Sequence, residues 1–341
     1  MKVTIVEVAK AAKVSVATVS RVMNGNYPVS ERTREKVMKA IEDLNFIPNL
    51  QARELNQKVS STIGVIVPSV ENMYFSELIT GIEKYIKKMN YSMLLTCSKN
   101  SKEQEIECVN DLLARNVAGI IIADPNNRNV VSAFYDMIAK RIPVIFVNGD
   151  IHHTQFFHVC SDEEVGANTA IQYLLDHHHE EIGFIRGENS YSYDIKQKVF
   201  NKRMKELGKN PEEYTIMVKN GNNVSVIDDA EEACMTILPQ KNFTALFAVN
   251  DLMAIGAINA CKKLGLRVPQ DISVIGFDNI LLSRYVDPKL TTVDQNTFLL
   301  GYNSAQLLIE KINSKDSYNK KIILNTTLVE RDTVCDRLGG Q

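Results

Sequence analysis

Apolar residues recur at helical spacing through residues 1–48 and in short strand-length runs beyond residue 60, so the chain changes construction between the two. In the first stretch Ile5, Val8, Ala9 and Ala12 share one face of a helix that Thr4 caps. A second helix starts at Ser15, with Val19, Val22 and Met23 on its packing stripe and Val16, Ala17, Ser20, Arg21 and Asn24 on the other side. Asn24, Gly25, Asn26 and Pro28 break it. Ser30 opens a third helix striped by Thr33, Val37, Ala40, Ile41 and Leu44, and Asn45 stops it. Two short helices meeting across a tight turn predict a helix-turn-helix, closed by the third over a core so small that its stability is marginal. The outward face of the second helix is short and carries one arginine. That shape suits a helix lying in the DNA major groove, where bulky side chains would hold it off the bases, although an ordinary amphipathic surface helix shows the same stripe.

Beyond residue 60 the apolar runs are IGVIVP (63–68), SMLLTC (92–97), AGIIIA (118–123), PVIFVN (143–148), EIGFIRG (181–187), ALFAVN (245–250) and ISVIGFD (272–278). Amphipathic stretches lie between them, among them Phe75 to Met89, Lys102 to Arg115, Asp162 to His177, Ile195 to Leu207 and Asp251 to Leu264. Repeated β-α-β units predict parallel sheets with ligand sites outside the carboxyl ends of the strands. There are too many strands for one small sheet, so two lobes are expected.

Composition sharpens this picture in one respect. At 341 residues, 45% hydrophobic and 23% charged, the chain is an ordinary multidomain globular protein. Its net charge of -2 conceals a basic head: residues 1–60 hold 10 Lys+Arg against 6 Asp+Glu, leaving 29 against 35 for the remainder. A small basic head on an acidic body fits a DNA-binding module joined to a regulatory domain.

The other chemistry mostly excludes. Six cysteines, at 97, 108, 160, 234, 261 and 335, show no C-x-x-C spacing, so they read as reduced thiols. The opening MKVTIVEVAKAAK has no apolar signal core, and no run approaches membrane-spanning length, so a cytoplasmic protein without a membrane partner is expected. No G-x-S-x-G elbow, Walker loop, G-x-G-x-x-G after a strand or H-E-x-x-H is present, which argues against an enzyme. His177 to His179, and His152, His153 and His158, invite a metal reading. Adjacent residues at a helix end point different ways, however, so neither a metal nor another cofactor is expected.

The run TIVEVAKAAKVSVATVSRVMNG, followed by VSERTREKVMKAIEDLNFIPN, resembles the DNA-binding domain of the LacI/GalR family of bacterial transcription regulators. The resemblance implies that Val16, Ala17 and Arg21 read bases while Ser15, Thr18, Ser20 and Asn24 bond phosphates. The chemistry agrees: a small methyl-bearing side chain can meet a thymine methyl, and an arginine can pair with guanine, each worth about 1–3 kcal/mol of discrimination. After Pro48 the segment LQARELNQK resembles the family's hinge helix, which folds in a dimer on operator DNA; Ala52, Arg53 and Leu55 match its minor-groove positions, with Leu55 as the wedge. Leu50 stands where alanine is common.

The remainder resembles the family's two-lobed, periplasmic-binding-protein-like (type I) effector domain. The implied plan is an all-α head at 1–48, a hinge at 49–59 and a body at 60–338. One lobe would take about 60–160 and 292–322, the other about 161–291 and 323–338. By the same likeness Asn72, Tyr74, Phe75, Lys196, Asn250, Asp251 and Asp278 are effector contacts; strand-end Asn and Asp also cap helices, and Phe75 is as well suited to the core. Lys196 replaces a common arginine and so lacks its bidentate fork. Phe298 and Gln306 replace the tyrosine and arginine of the catabolite-control branch, in which a phosphoprotein serves as co-repressor.

The expected function is a repressor that binds a palindromic double-stranded operator as a homodimer. A small-molecule effector, a sugar, sugar phosphate or similar, would switch it from the interlobe cleft. The competing readings are a solute-binding module with no genetic role and a regulator controlled by a phosphoprotein.

Overall fold

Thr4 begins the structure with a reciprocal cap: its hydroxyl accepts the Glu7 N–H while the Glu7 carboxylate accepts the Thr4 N–H at 2.7 Å. Helix α1 (Ile5–Ala12) ends at Lys13, whose left-handed backbone (φ 55°) turns the chain into α2 (Val16–Asn24). Ser15 caps α2 by accepting the Thr18 N–H at 3.1 Å. Helix α3 (Glu31–Asp43) closes the head, and Asn45 turns out of it at φ 46°. The core is Val8, Ala9, Ala12, Val19, Val22, Val37 and Ala40, with Ile41 half-buried beside them; it also takes in Phe46, which helical periodicity did not mark because it lies past the last helix.

The computed structural model describes residues 3–24, 28–47, 60–132, 134–149, 156–188, 190–219, 221–314 and 320–338. Met1–Ser60 and Ser61–Gln341 form separate compact units. Ala52, Arg53 and Leu55 lie outside the described residues, as does the rest of the expected hinge.

In the second unit the chain runs β1 (Thr62–Val67), α4 (Met73–Lys88), β2 (Ser92–Cys97), α5 (Lys102–Ala114), β3 (Gly119–Ala123), α6 (Asn127–Val131), α7 (Phe134–Ala139), β4 (Val144–Val147) and β5 (Phe157–Ser161). It continues α8 (Glu163–Asp176), β6 (Ile182–Arg186), α9 (Tyr191–Glu206), β7 (Thr215–Met217), α10 (Val226–Ile237), β8 (Ala245–Ala248), α11 (Asp251–Lys263) and β9 (Ser273–Asp278). It ends β10 (Thr291–Asp294), α12 (Thr297–Asn313), β11 (Lys321–Leu324) and β12 (Thr327–Val329).

These strands make two sheets, ordered β11-β5-β4-β3-β1-β2 and β12-β10-β9-β8-β6-β7, parallel throughout except for β12 against β10. Strands buried on both faces read as continuous apolar runs, which is why β1, β3, β4 and β9 are visible in the sequence. The chain leaves the first sheet after Ser161, returns after Asp294 through α12, and crosses again between Leu324 and Thr327. A division at residue 292 would cut β10; the whole of that strand belongs to the second sheet.

Helices α4 and α12 pack so closely that a Cβ on Gly81 would lie 2.1 Å from the Phe298 carbonyl, and one on Gly301 would lie 2.0 Å from that of Leu78. Only glycine allows that backbone approach.

Candidate functional site

The second helix of the head presents the face expected of it. Val16 is 40% exposed, Ala17 and Arg21 are exposed, and Val19 and Val22 are buried beneath them. Ser15 and Thr18 engage one another, their hydroxyls 2.9 Å apart, so both hydroxyls belong to the start of α2. Ser20 is half-buried. Asn24 ends the helix.

In the body, the two sheets converge their strand ends on a narrow cleft lined by Asn72, Tyr74, Phe75, Asp124, Asn148, Glu163, Ser190, Ser192, Tyr193, Asn222, Val249, Asn250, Asp278 and Gln295. The cavity at its centre is about 20 Å³, space for about one water. A larger cavity of about 460 Å³ adjoins it, sharing Asn148 and Glu163.

Each lining group is positioned by its element. After β1, Asn72 caps α4 by accepting the Tyr74 N–H at 3.0 Å, and the Tyr74 hydroxyl accepts from Asn148 Nδ2 at 2.7 Å. Asn148 follows β4, and Asp124 follows β3 in the left-handed region (φ 44°). From the other sheet, Asn250 caps α11 by accepting the Met253 N–H at 2.9 Å, while its Nδ2 donates to the Tyr193 hydroxyl and the Gly221 carbonyl, both at 3.1 Å. Asp278 ends β9 at φ 119°, a strained conformation for a residue with a Cβ. It accepts from Gln295 Nε2 at 2.5 Å, and Gln295 in turn accepts from the Ser161 hydroxyl at 2.5 Å. A hydrogen-bonded relay therefore runs from β5 of one sheet to β9 of the other.

Two expected contacts are placed elsewhere. Lys196 is 1% exposed and sits behind the cleft wall, with Nζ 2.6 Å from Ser192 Oγ, 3.4 Å from Glu163 Oε1 and 4.1 Å over the Phe277 ring. Its length lets it reach back beneath the wall instead of outward. Asp251 is fully buried and accepts from the Ile280 N–H at 2.8 Å and the Thr292 hydroxyl at 2.5 Å. It pins the turn that aims Asp278 and is itself no part of the lining. Phe75, 1% exposed, touches the cleft from within the core.

The cleft is acidic. Burial pushes the Asp124 carboxyl up to about 7, helped by the nearby Glu163 and opposed by Lys196. Burial, and then the neighbouring Asp251, hold Asp278 well above the usual carboxylate range. The Tyr74 and Tyr193 hydroxyls are raised by burial and by the same carboxylates.

Sequence reasoning missed Asp124, Asn148, Glu163, Tyr193 and Gln295. The first two end strands that the apolar pattern marks, AGIIIA and PVIFVN, so strand-end position points to them as it does to Asn250 and Asp278. Gln295 follows β10, a strand the apolar pattern does not mark. The histidines at 177–179 point three ways: Nδ1 of His177 to the Tyr173 carbonyl, His178 to Asp336, and His179 to Thr244 and the Cys335 carbonyl. Among the described residues no helix is long and apolar enough to cross a membrane.

Comparison with known proteins gives two family matches: bacterial regulatory proteins of the lacI family over residues 4–49, and the periplasmic binding protein-like domain over residues 171–334. The HTH-type transcriptional repressor PurR of Pasteurella multocida is 35% identical over 338 residues, 98% of this chain and 99% of that protein. Catabolite control protein A of Priestia megaterium is 35% identical over 327 residues, 95% and 96% of the two chains. The lac repressor dimer, solved bound to operator and the anti-inducer ONPF, superposes with a TM-score of 0.87 at 28% identity over 98% of this chain and 100% of that one.

Proposed function

We propose a role that proceeds from one settled premise: this chain belongs to the lacI family of bacterial regulatory proteins and is a DNA-binding transcription regulator. In our reading it is a homodimeric repressor whose two heads read the half-sites of a palindromic operator in successive major grooves. Val16, Ala17 and Arg21 contact bases, and Ser15, Thr18, Ser20 and Asn24 hold phosphates. Paired hinges carry Ala52, Arg53 and Leu55 into the minor groove between the half-sites, where Leu55 unstacks the central step. The likeness to a repressor solved as a dimer on operator supports this reading, as does the basic head.

The body does no chemistry in this reading. It binds a small-molecule effector between its sheets, and lobe angle sets whether the two hinges can meet on DNA. A coupling of about 1–3 kcal/mol changes operator affinity several-fold to about a hundred-fold. The Ser161–Gln295–Asp278 relay ties the ligand's surroundings to both sheets at once, and it is the observation that carries the cleft assignment.

Fluorescence anisotropy at fixed salt tests the reading. A palindromic operator selected from random sequence should bind at least a hundred-fold tighter than a scrambled duplex; equal affinities would refute it, because phosphate contacts alone do not distinguish sequences.

A further inference from the structure

Charge accounting within the cleft narrows the ligand, an argument that rests on the cleft being the effector site. Among the described residues three carboxylates line it: Asp124 from the end of β3, Glu163 from the start of α8 and Asp278 from the end of β9. Among the described residues the cation close to it is Lys196, held behind the wall against Glu163 and Ser192, so three carboxyls share one ammonium and the cleft keeps an excess of acid. Lys198 and Lys321 line the adjoining larger cavity, where Asp162, Glu164 and Asp194 accompany them.

Hydrogen-bonding capacity has the same bias. Asn148, 5% exposed, lines the cleft with its Oδ1 unpartnered among the described residues. The Asn250 amide hydrogens already serve Tyr193 and Gly221, and the Asn148 amide serves Tyr74 and Asp124. The cleft thus offers three carboxyls and the Asn148 oxygen as acceptors, against the Tyr74 O–H as a donor. An anion entering here would lose its hydration and meet two carboxylates. An ammonium would let both carboxylates stay ionised and would bridge one sheet to the other.

We propose that the cleft selects its ligand by charge, taking a hydroxyl-rich molecule that carries an amine, an amino sugar or amino polyol by class, and rejecting phosphate esters and other anions. The ammonium takes the water-sized space beside Asp124 and Asp278, and the hydroxyl-bearing remainder extends past Asn148 Oδ1 into the adjoining cavity of about 460 Å³.

The test uses the full chain and matched probes: glucose, galactose and mannose, each as the parent sugar, the 2-amino sugar and the 6-phosphate, titrated by calorimetry at pH 7.5. One amino sugar should bind at least tenfold tighter than its parent, its phosphate should not bind measurably, and Asp124→Asn should weaken the amino sugar more than its parent and so remove most of the amine preference. A phosphate binding as well as or better than its amine, or no amine binding at all, overturns the charge inference. The cleft reading fails separately, if a probe binds and its affinity ignores both Asp124→Asn and Asp278→Asn.

Discussion

Replacing Lys196 by methionine separates two roles that the same residue could have. If the ammonium is an internal counter-charge, its removal strands Glu163, which is 5% exposed and then keeps only the Ser192 hydroxyl at 2.7 Å. Breaking one side of a buried ion pair costs about 3–5 kcal/mol, and the lost contact over the Phe277 ring adds up to about 2 kcal/mol when desolvated. Methionine fills most of the lysine volume, so little of that loss is cavity. Removing the partner as well, in Lys196→Met/Glu163→Gln, discards the stranded charge. The double variant should therefore recover at least about 2 kcal/mol relative to the sum of the two single variants.

The chain has no tryptophan, so the transition is best followed by far-UV circular dichroism in urea, at one protein concentration because the proposed dimer would add to apparent stability. A Lys196→Met cost below about 1 kcal/mol, additive with Glu163→Gln, would refute the counter-charge role. It would return Lys196 to the cleft as a ligand grip, which predicts lost effector response at unchanged stability.

Arg21→Ala should lower the preference for a guanine in each half-site by about 1–3 kcal/mol while retaining phosphate-driven binding; a mobility-shift series over operator variants shows it, and uniform weakening across all variants would contradict base reading. Asp124→Asn should change how the body responds to pH. The folded carboxyl at about 7, against an ordinary 3.8, keeps its proton where the unfolded chain has lost it, so its contribution declines as pH rises through that window and is level above it. Solvent reaching the cleft reduces the full effect to about 1–3 kcal/mol, so the variant should be more stable than wild type by that amount at pH 8 and equal to it at pH 4. A difference that grows toward low pH would reverse the sign and the argument. Gly301→Ala should destabilise the body by about 3 kcal/mol or more, because its Cβ meets backbone on α4 that no side-chain rotation can clear; an unchanged urea midpoint would mean the two helices can separate freely.

What the sequence disclosed follows from where each element is buried. Two of the head's three caps were legible, because Thr4 and Ser15 act on neighbours three residues away and need no tertiary partner; Ser30 precedes α3 but pairs its hydroxyl with that of Thr33 instead of capping a backbone N–H. Central strands such as GIIIA and SVIGFD announced themselves as apolar runs. Strands β7, β11 and β12 lie at sheet edges and are short, with exposed positions that dilute the run, and β10 hides its buried backbone behind two threonines. Without β10 and β11 the returns to the first sheet are invisible, which is why the lobe division at 292 cut a strand.

The cleft illustrates a different limit. Residue type and position put Asn72, Asn250 and Asp278 on the cleft lining, yet Lys196, within α9, and Asp251, at the start of α11, serve the wall instead. What separates them is whether a buried partner lies within reach. Lys196 finds Glu163 33 positions earlier, and Asp251 finds Thr292 41 positions later. Such pairings depend on how α8, α9, α11 and β10 stack in space. A polar residue in this region is therefore a candidate contact only where the fold leaves it capacity to spare: the Asn148 oxygen has no partner among the described residues, and the carboxyls of Asp124 and Asp278 each keep acceptor capacity beyond their bonds to Asn148 and Gln295.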